Sequence, residues 1–206
     1  MGQFLRQEAK LLLIIGLSIL LCSCSLFRSP KQEAKTYALA ETPCDGVLPV
    51  RSHGEKILSV AAVTAAPGYD TENMMYSRRP YALNQYSKNR WIAPPADMLT
   101  PLLVGRLAHS GCFKAVVASP VAGTSDLTLN AQILILRQEY FTPCSQERLA
   151  VQVTLTDSSS SAVIAQKRFE SVVSTPQNTP YGGVIAANRA VAAVLSDIAG
   201  FVCHYH

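Results

Sequence analysis

The side chains best suited to chemistry in this chain are its cysteines and histidines. Cys112 follows His109 by three residues, a spacing at which an imidazole could activate a thiol nucleophile. The tail Cys203-His204-Tyr205-His206 offers zinc ligands, but no CxxC pair accompanies it and its spacing does not fit a structural zinc site. Phosphate-binding glycine loops, the HExxH motif and the GxSxG motif do not occur in the sequence. We therefore predict no catalytic residue, no metal site and no cofactor.

The N-terminus has the pattern of a secretory signal peptide. Arg6 and Lys10 precede an apolar run over residues 11–21. This run is about half as long as the roughly 20 residues that a membrane-spanning helix requires. A charged start, a short apolar run and small residues at its end predict a signal peptide over residues 1–23. The alternative is an uncleaved N-terminal anchor.

A lipid attachment site follows this signal. Residues 21–24 read Leu-Cys-Ser-Cys, which resembles the lipobox of bacterial lipoproteins. The pattern predicts that the Cys24 thiol carries the lipid and that residues 24–35 tether it to the fold. Position 25 is Ser and not Asp, which resembles bacterial lipoproteins that are released to the outer membrane.

Composition and cysteine content indicate what class of protein the exported part belongs to. The formal net charge of +4 is small and its basic residues are spread along the chain, so we expect no nucleic-acid partner. The 183 residues after the signal suffice for a single domain. Four further cysteines in an oxidising compartment predict two disulfides, with three pairings open, among Cys44, Cys112, Cys144 and Cys203.

Hydrophobic periodicity predicts the elements of a domain over residues 36–206. Alternating or continuous apolar runs indicate strands at 36–40, 56–66, 73–78, 81–91, 113–119, 126–141, 148–157 and 163–174. Helical spacing indicates one helix from Pro94-Pro95 to Ser110-Gly111 and a second over 181–203. In the longest strand, one face is predicted to hold Leu127, Leu129, Ala131, Ile133 and Ile135. We predict an α/β fold, a single domain with a mixed β-sheet flanked by helices.

An aromatic and basic segment over residues 76–91 is the best candidate for recognition, because aromatic and arginine side chains are enriched at binding hot spots. The alternative is that its tryptophan, the only one in the chain, anchors the core. The candidate partner-binding residues are Tyr76, Arg78, Arg79, Tyr86, Arg90 and Trp91.

Dispersed positions along the chain resemble the ABC-type transport auxiliary lipoprotein family, whose members are relatives of paraquat-inducible protein C. The resemblance extends over residues 36–200. Its positions include Leu58-Ser59-Val60, Ala66-Pro67-Gly68-Tyr69-Asp70, Met75-Tyr76, Tyr86, Arg90-Trp91, Pro94-Pro95, Met98-Leu99 and Leu107.

This resemblance implies a domain like the amino-terminal domain of TolB and an accessory role without catalysis. It implies a lipoprotein on the periplasmic face of the outer membrane that accompanies an ABC transporter and its MCE-domain (mammalian cell entry) protein in lipid transport. Self-association is a further expectation. The alternatives are a scaffold for another envelope assembly, or a lipid carrier with a pocket lined by Leu99, Leu103, Ile133 and Val194.

Overall fold

A strand of 13 residues, β7 (Leu127–Glu139), runs through the middle of the sheet. The computed structural model describes residues 34–40, 54–119 and 125–206. The predicted signal peptide, Cys24 and Cys44 lie outside these ranges. Strand β8 (Gln146–Asp157) pairs antiparallel with β7 over its full length, and β9 (Val163–Ser174) pairs antiparallel with β8.

The other edge of β7 is shared by three short strands that follow one another along it. They are β2 (Ile57–Val60), β3 (Thr64–Ala65) and β4 (Asn73–Ser77), and all three run parallel to β7. Outside them lie β6 (Ala115–Ala118), β5 (Asn84–Trp91) and β1 (Lys35–Tyr37). β6 pairs with β2, β5 with β4, and β1 with β5, which completes a mixed nine-stranded sheet in the described residues.

Two helices cover one face of this sheet; the periodicity predicted both helices and their packing on the sheet, but not that they share a face. Helix α1 (Pro95–His109) begins after Pro94 and continues through Pro101, and Gly111 follows it with a φ of +66°. Helix α2 (Pro180–Val202) begins at an N-cap in which the Thr179 hydroxyl accepts a hydrogen bond from the Gly182 amide. Because α1 and α2 contact each other, they lie on the same side of the sheet.

Helix α2 is long and apolar enough, by composition alone, to cross a membrane. Half of its most apolar window is buried inside the domain, however, where it packs on β8 and β9. Its buried side includes Val191, Leu195 and Ile198, each at most 2% exposed. The sheet therefore accounts for the apolar stripe of this helix.

Two details of the predicted strands are wrong. The segment 56–66 is not one strand, because its register with β7 changes from Val60↔Leu129 to Thr64↔Gln132 and leaves one extra residue between β2 and β3. A register shift in β7 between Ile133 and Ile135 reverses the faces of the sheet on which the following side chains lie. Leu136, and not Ile135, therefore lies buried in the core.

A disulfide joins Cys112, after α1, to Cys203, at the end of α2. Their Cα atoms are 5.5 Å apart. Cys144 is exposed and forms no disulfide with another described residue. The second of the two predicted disulfides would have to use the remaining Cys44 and Cys144, and it stays a prediction because Cys44 lies outside the described ranges.

Candidate binding surface

The hairpin between β4 and β5 forms an ordered, exposed tip, hereafter the hairpin tip (residues 78–83). The buried Ser77 hydroxyl closes the turn, since it lies 2.8 Å from the Arg79 carbonyl oxygen and 2.5 Å from that of Ala82 and shares its one proton between them. Tyr81 has a φ of +66° and is fully exposed. A bulky residue rarely adopts that conformation, so the hairpin tip presents the Tyr81 ring to solvent at a conformational cost.

Three tyrosines pack behind the hairpin tip. The ring centroids of Tyr76 and Tyr86 are 4.5 Å apart, and the Tyr140 ring stands edge-on to Tyr76 at 6.1 Å. The Arg78 guanidinium carbon lies 5.7 Å from the Tyr76 ring centroid and 6.0 Å from that of Tyr140. These distances suit cation–π attraction, which fixes Arg78 at the surface with its charge exposed.

The tyrosines continue inward into a buried hydrogen-bond network beneath the first turn of α2. The Tyr86 hydroxyl donates to Gln138 Oε1 at 2.8 Å and lies 2.7 Å from the Tyr140 hydroxyl. Burial, together with the hydrogen bond to Tyr140, raises the pKa of Tyr86 far above its ordinary value. Gln138 Nε2 donates to Ser145 Oγ at 2.9 Å and to the Thr179 carbonyl at 3.2 Å. Gln138 therefore joins β4–β5, the β7–β8 turn and α2.

A carboxyl group shares this buried region. Glu147 pairs with Gln138 across β7 and β8 and is only 4% exposed. Burial, followed by the negative charge of Glu139, raises the pKa of Glu147 well above its usual value. Gly183 leaves room for this pair, since a Cβ there would lie 2.5 Å from Gln138 Oε1 and 3.4 Å from Glu147 Oε2.

The opposite face of the same strands carries charged pairs. Glu139 Oε1 accepts from Arg137 Nη2 at 2.7 Å and from Arg148 Nε at 3.1 Å. Arg148 also pairs with Glu170, whose other oxygen lies 2.7 Å from Arg168 Nη2. This chain of ion pairs spans β7, β8 and β9, so the negative charges near the hairpin tip are compensated inside the domain.

The structure brings together four of the six residues singled out from the sequence. Tyr76, Arg78, Arg79 and Tyr86 belong to or support the hairpin tip. Arg90 is exposed but lies at the other end of β5, beside Asn73.

Trp91 is the exception and corrects the surface prediction. It is 3% exposed, within the hydrophobic core. Its neighbour across the β1–β5 pair, Tyr37, packs against the same core, so the core-anchor alternative is what the structure shows.

Sequence reasoning missed the contribution of the β7–β8 turn. Tyr140 completes the aromatic cluster, and Phe141 beside it is 44% exposed. Two adjacent aromatic residues at the end of an alternating strand, just before Pro143, were the available signal. Nothing local to Gln138 indicated that it would be buried.

The chemical candidates of the sequence do not assemble into a reactive site in the described residues. The Cys112 sulfur is bonded to Cys203, and His109 Nδ1 lies 2.7 Å from the Gly105 carbonyl. The described ranges contain no group of three or more His, Cys, Asp or Glu side chains placed to hold a metal. The four side chains considered for a lipid pocket are at most 1% exposed and belong to the continuous core: Leu99, Leu103, Ile133 and Val194.

Solved structures share this fold. A Xanthomonas campestris protein of family DUF330 has a TM-score of 0.75 and 22% identity, covering 83% of this chain and 95% of that chain. An uncharacterised protein has a TM-score of 0.64 and 16% identity, covering 82% and 99%. No curated protein matches significantly. These likenesses establish the fold alone.

Family membership rests on the sequence model for the ABC-type transport auxiliary lipoprotein component, which matches residues 37–199. The match includes every strand from β2 to β9, helix α1, the whole hairpin tip and all but the last three residues of α2. The chain therefore belongs to the ABC-type transport auxiliary lipoprotein family.

Proposed function

We propose that this protein is a non-catalytic accessory of an ABC transporter that moves lipid between the two membranes through an MCE-domain protein. The observation that carries the proposal is the family match over residues 37–199. In the proposed arrangement, Cys24 carries the lipid anchor, and the domain faces the periplasm from the outer membrane.

The structure supports a binding role over a chemical one. The Cys112 and Cys203 sulfurs are bonded to each other, and the His109 and His204 imidazoles lie against backbone carbonyl oxygens. The exposed features are instead aromatic and cationic groups held by a rigid sheet, which suits recognition of a surface.

Burial narrows the residues that could meet a partner protein. Tyr86 is partly buried by the hydrogen-bond network and Trp91 lies in the core. The exposed members of the original set are the three arginines, Arg78, Arg79 and Arg90.

The test is capture of the tagged full-length protein from crosslinked envelopes, with the co-purified proteins identified by mass spectrometry. We expect an MCE-domain protein together with its permease and ATPase. A variant with Arg90→Glu should recover less of them, whereas Arg189→Glu, an exposed arginine on α2, should not.

Other results of this capture would reject the proposal. Recovery of cell-wall synthases or a secretion channel without an MCE-domain protein would identify a scaffold for another assembly. Phospholipid bound inside the purified domain would identify a lipid carrier.

A further inference from the structure

The hairpin tip has the composition of a membrane-contact surface. It presents Arg78, Arg79 and the fully exposed Tyr81, with Leu83 40% exposed beside them. Arginine pairs with lipid phosphates, tyrosine is enriched at the level of the headgroups, and leucine is favoured at the boundary between headgroups and acyl chains. The sequence Arg-Arg-Pro-Tyr-Ala-Leu over residues 78–83 contains no acidic residue.

The adjacent β7–β8 turn extends this surface. The Tyr140 amide donates to the Ser77 carbonyl at 2.8 Å, which places the turn directly beside the hairpin. The turn exposes Phe141 and contains no acid over residues 140–145. Glu139, which precedes it, is 4% exposed and paired with two arginines, so it does not oppose an anionic surface.

The direction of β1 places the start of the described chain on the same side of the domain as the hairpin tip. β1 is parallel to β5, with Lys35 beside Asn89, and β5 begins on the hairpin side at Asn84. The chain therefore enters β1 from that side. Hydrogen bonds of 2.8 and 3.3 Å between Asn188 of α2 and the backbone of Ala40 and Ala38 fix this segment to the domain.

Chain length allows the proposed anchor to lie level with the hairpin tip. The stretch of β5 from Asn89 to Asn84 covers roughly 17 Å at about 3.3 Å per residue. Residues 24–34 can span at most roughly 36–40 Å when fully extended. A lipid on Cys24 is therefore within reach of a membrane that the hairpin tip touches.

We propose that the hairpin tip and Phe141 rest on the phospholipid headgroups of the membrane that holds the lipid anchor. The inference builds on the proposed lipidation of Cys24 and adds an orientation. The hairpin end of the sheet faces the membrane, and the opposite end, where Leu127 pairs with Asp157, faces the periplasm. Arg78 and Arg79 then bind lipid phosphate, and Arg90 is left for the partner protein.

The test uses the acylated protein in vesicles of phosphatidylethanolamine and phosphatidylglycerol that contain a brominated phospholipid, which quenches tryptophan on contact. Tyr81→Trp places a reporter at the hairpin tip. Val163→Trp is the matched control, because Val163 is 63% exposed and pairs with Thr156 near the opposite end of the sheet. Buried Trp91 gives the same background in both variants.

We expect strong quenching of Tyr81→Trp and none of Val163→Trp above the background. Adding Arg79→Gln should lower the ratio of membrane-bound to free orientations roughly fivefold, the effect of one arginine near an anionic surface. Lys114→Gln should leave it unchanged, since Lys114 is exposed near the Leu127 end.

Equal quenching of both reporters, or quenching of neither, would overturn the orientation. The same reporter can be measured with the captured transporter proteins added to the vesicles. If those proteins shield the Tyr81→Trp indole and the brominated lipid does not quench it, the hairpin tip binds a protein partner instead. The mass of Cys24 with its acyl groups tests the anchor separately. An acylated protein with an unquenched tip refutes this inference alone, whereas an unmodified Cys24 refutes the anchor of the proposed function.

Discussion

The two ends of helix α2 are held to the sheet by different chemistry. At its C-terminal end, the Cys112–Cys203 disulfide is covalent, and Phe201 packs edge-on against Phe169 and Tyr205 at 5.6 and 5.4 Å. At its N-terminal end, Gln138 donates a hydrogen bond to the Thr179 carbonyl, and the Glu147 carboxyl is buried beside Gln138. The first attachment depends on redox state, whereas the second depends on geometry and pH and directly supports the hairpin tip.

Removing the disulfide at the C-terminal end of α2 should have the largest effect on the free energy of unfolding. Cys112→Ala combined with Cys203→Ala removes a crosslink between residues 91 positions apart. We expect the free energy of unfolding to fall by about 2–5 kcal/mol, because the unfolded chain regains the freedom that the loop had restricted. Urea unfolding monitored by circular dichroism measures this. Under strong reductant the variant and the reduced parent should unfold alike, and a persistent gap would contradict the explanation.

Removing the hydrogen bonds at the N-terminal end of α2 should lower the free energy of unfolding by a smaller amount. Gln138→Leu removes the partner of the Tyr86 and Ser145 hydroxyls inside the fold. Losing these hydrogen bonds inside the fold, together with the one to the Thr179 carbonyl, should lower the free energy of unfolding by about 1–3 kcal/mol, which chemical denaturation would detect. Gln132→Leu, at an exposed position of the same strand, is the control and should be nearly neutral. Equal effects would mean that the network does not hold α2.

One substitution made at both ends sharpens the comparison further. In Gly183→Ala, the new methyl would lie 2.5 Å from Gln138 Oε1, so we expect a loss of about 1 kcal/mol after the gain in helix propensity. In Gly200→Ala, no atom lies within 4 Å, so we expect a gain of up to about 1 kcal/mol. Thermal unfolding of the two variants should shift in opposite directions. A gain at both sites would show that the N-terminal end is loosely packed.

The last expected effect concerns how stability depends on pH. Because the folded-state pKa of Glu147 is raised above its unfolded value, its contribution to stability is complete below the unfolded pKa and is lost as pH rises through the folded pKa. Glu147→Gln removes this loss, so the variant should gain stability over the parent as pH increases. Unfolding free energies measured across that range test the sign, and a difference that does not change with pH would contradict it.

Local pattern determined much of this fold. β9 has the predicted bounds, and both helices begin and end within one residue of prediction, because proline, glycine and apolar spacing act within a few residues. The alternation in β7 also gave the buried side chains up to Ile133. The signal and lipobox patterns are likewise local, and the lipid site they predict lies outside the described residues.

Tertiary structure decided the features that require contacts between segments far apart in the sequence. The pairing of Cys112 with Cys203, the register shift after Ile133 and the burial of Gln138 arise from contacts between elements far apart in sequence. The hairpin tip shows the same division. Its arginines and Tyr81 were visible in the sequence, but β5 and β1 had to pair before they lay on the side from which the chain enters the domain. Periodicity records which face of a segment avoids water, and it does not record which other segment covers that face.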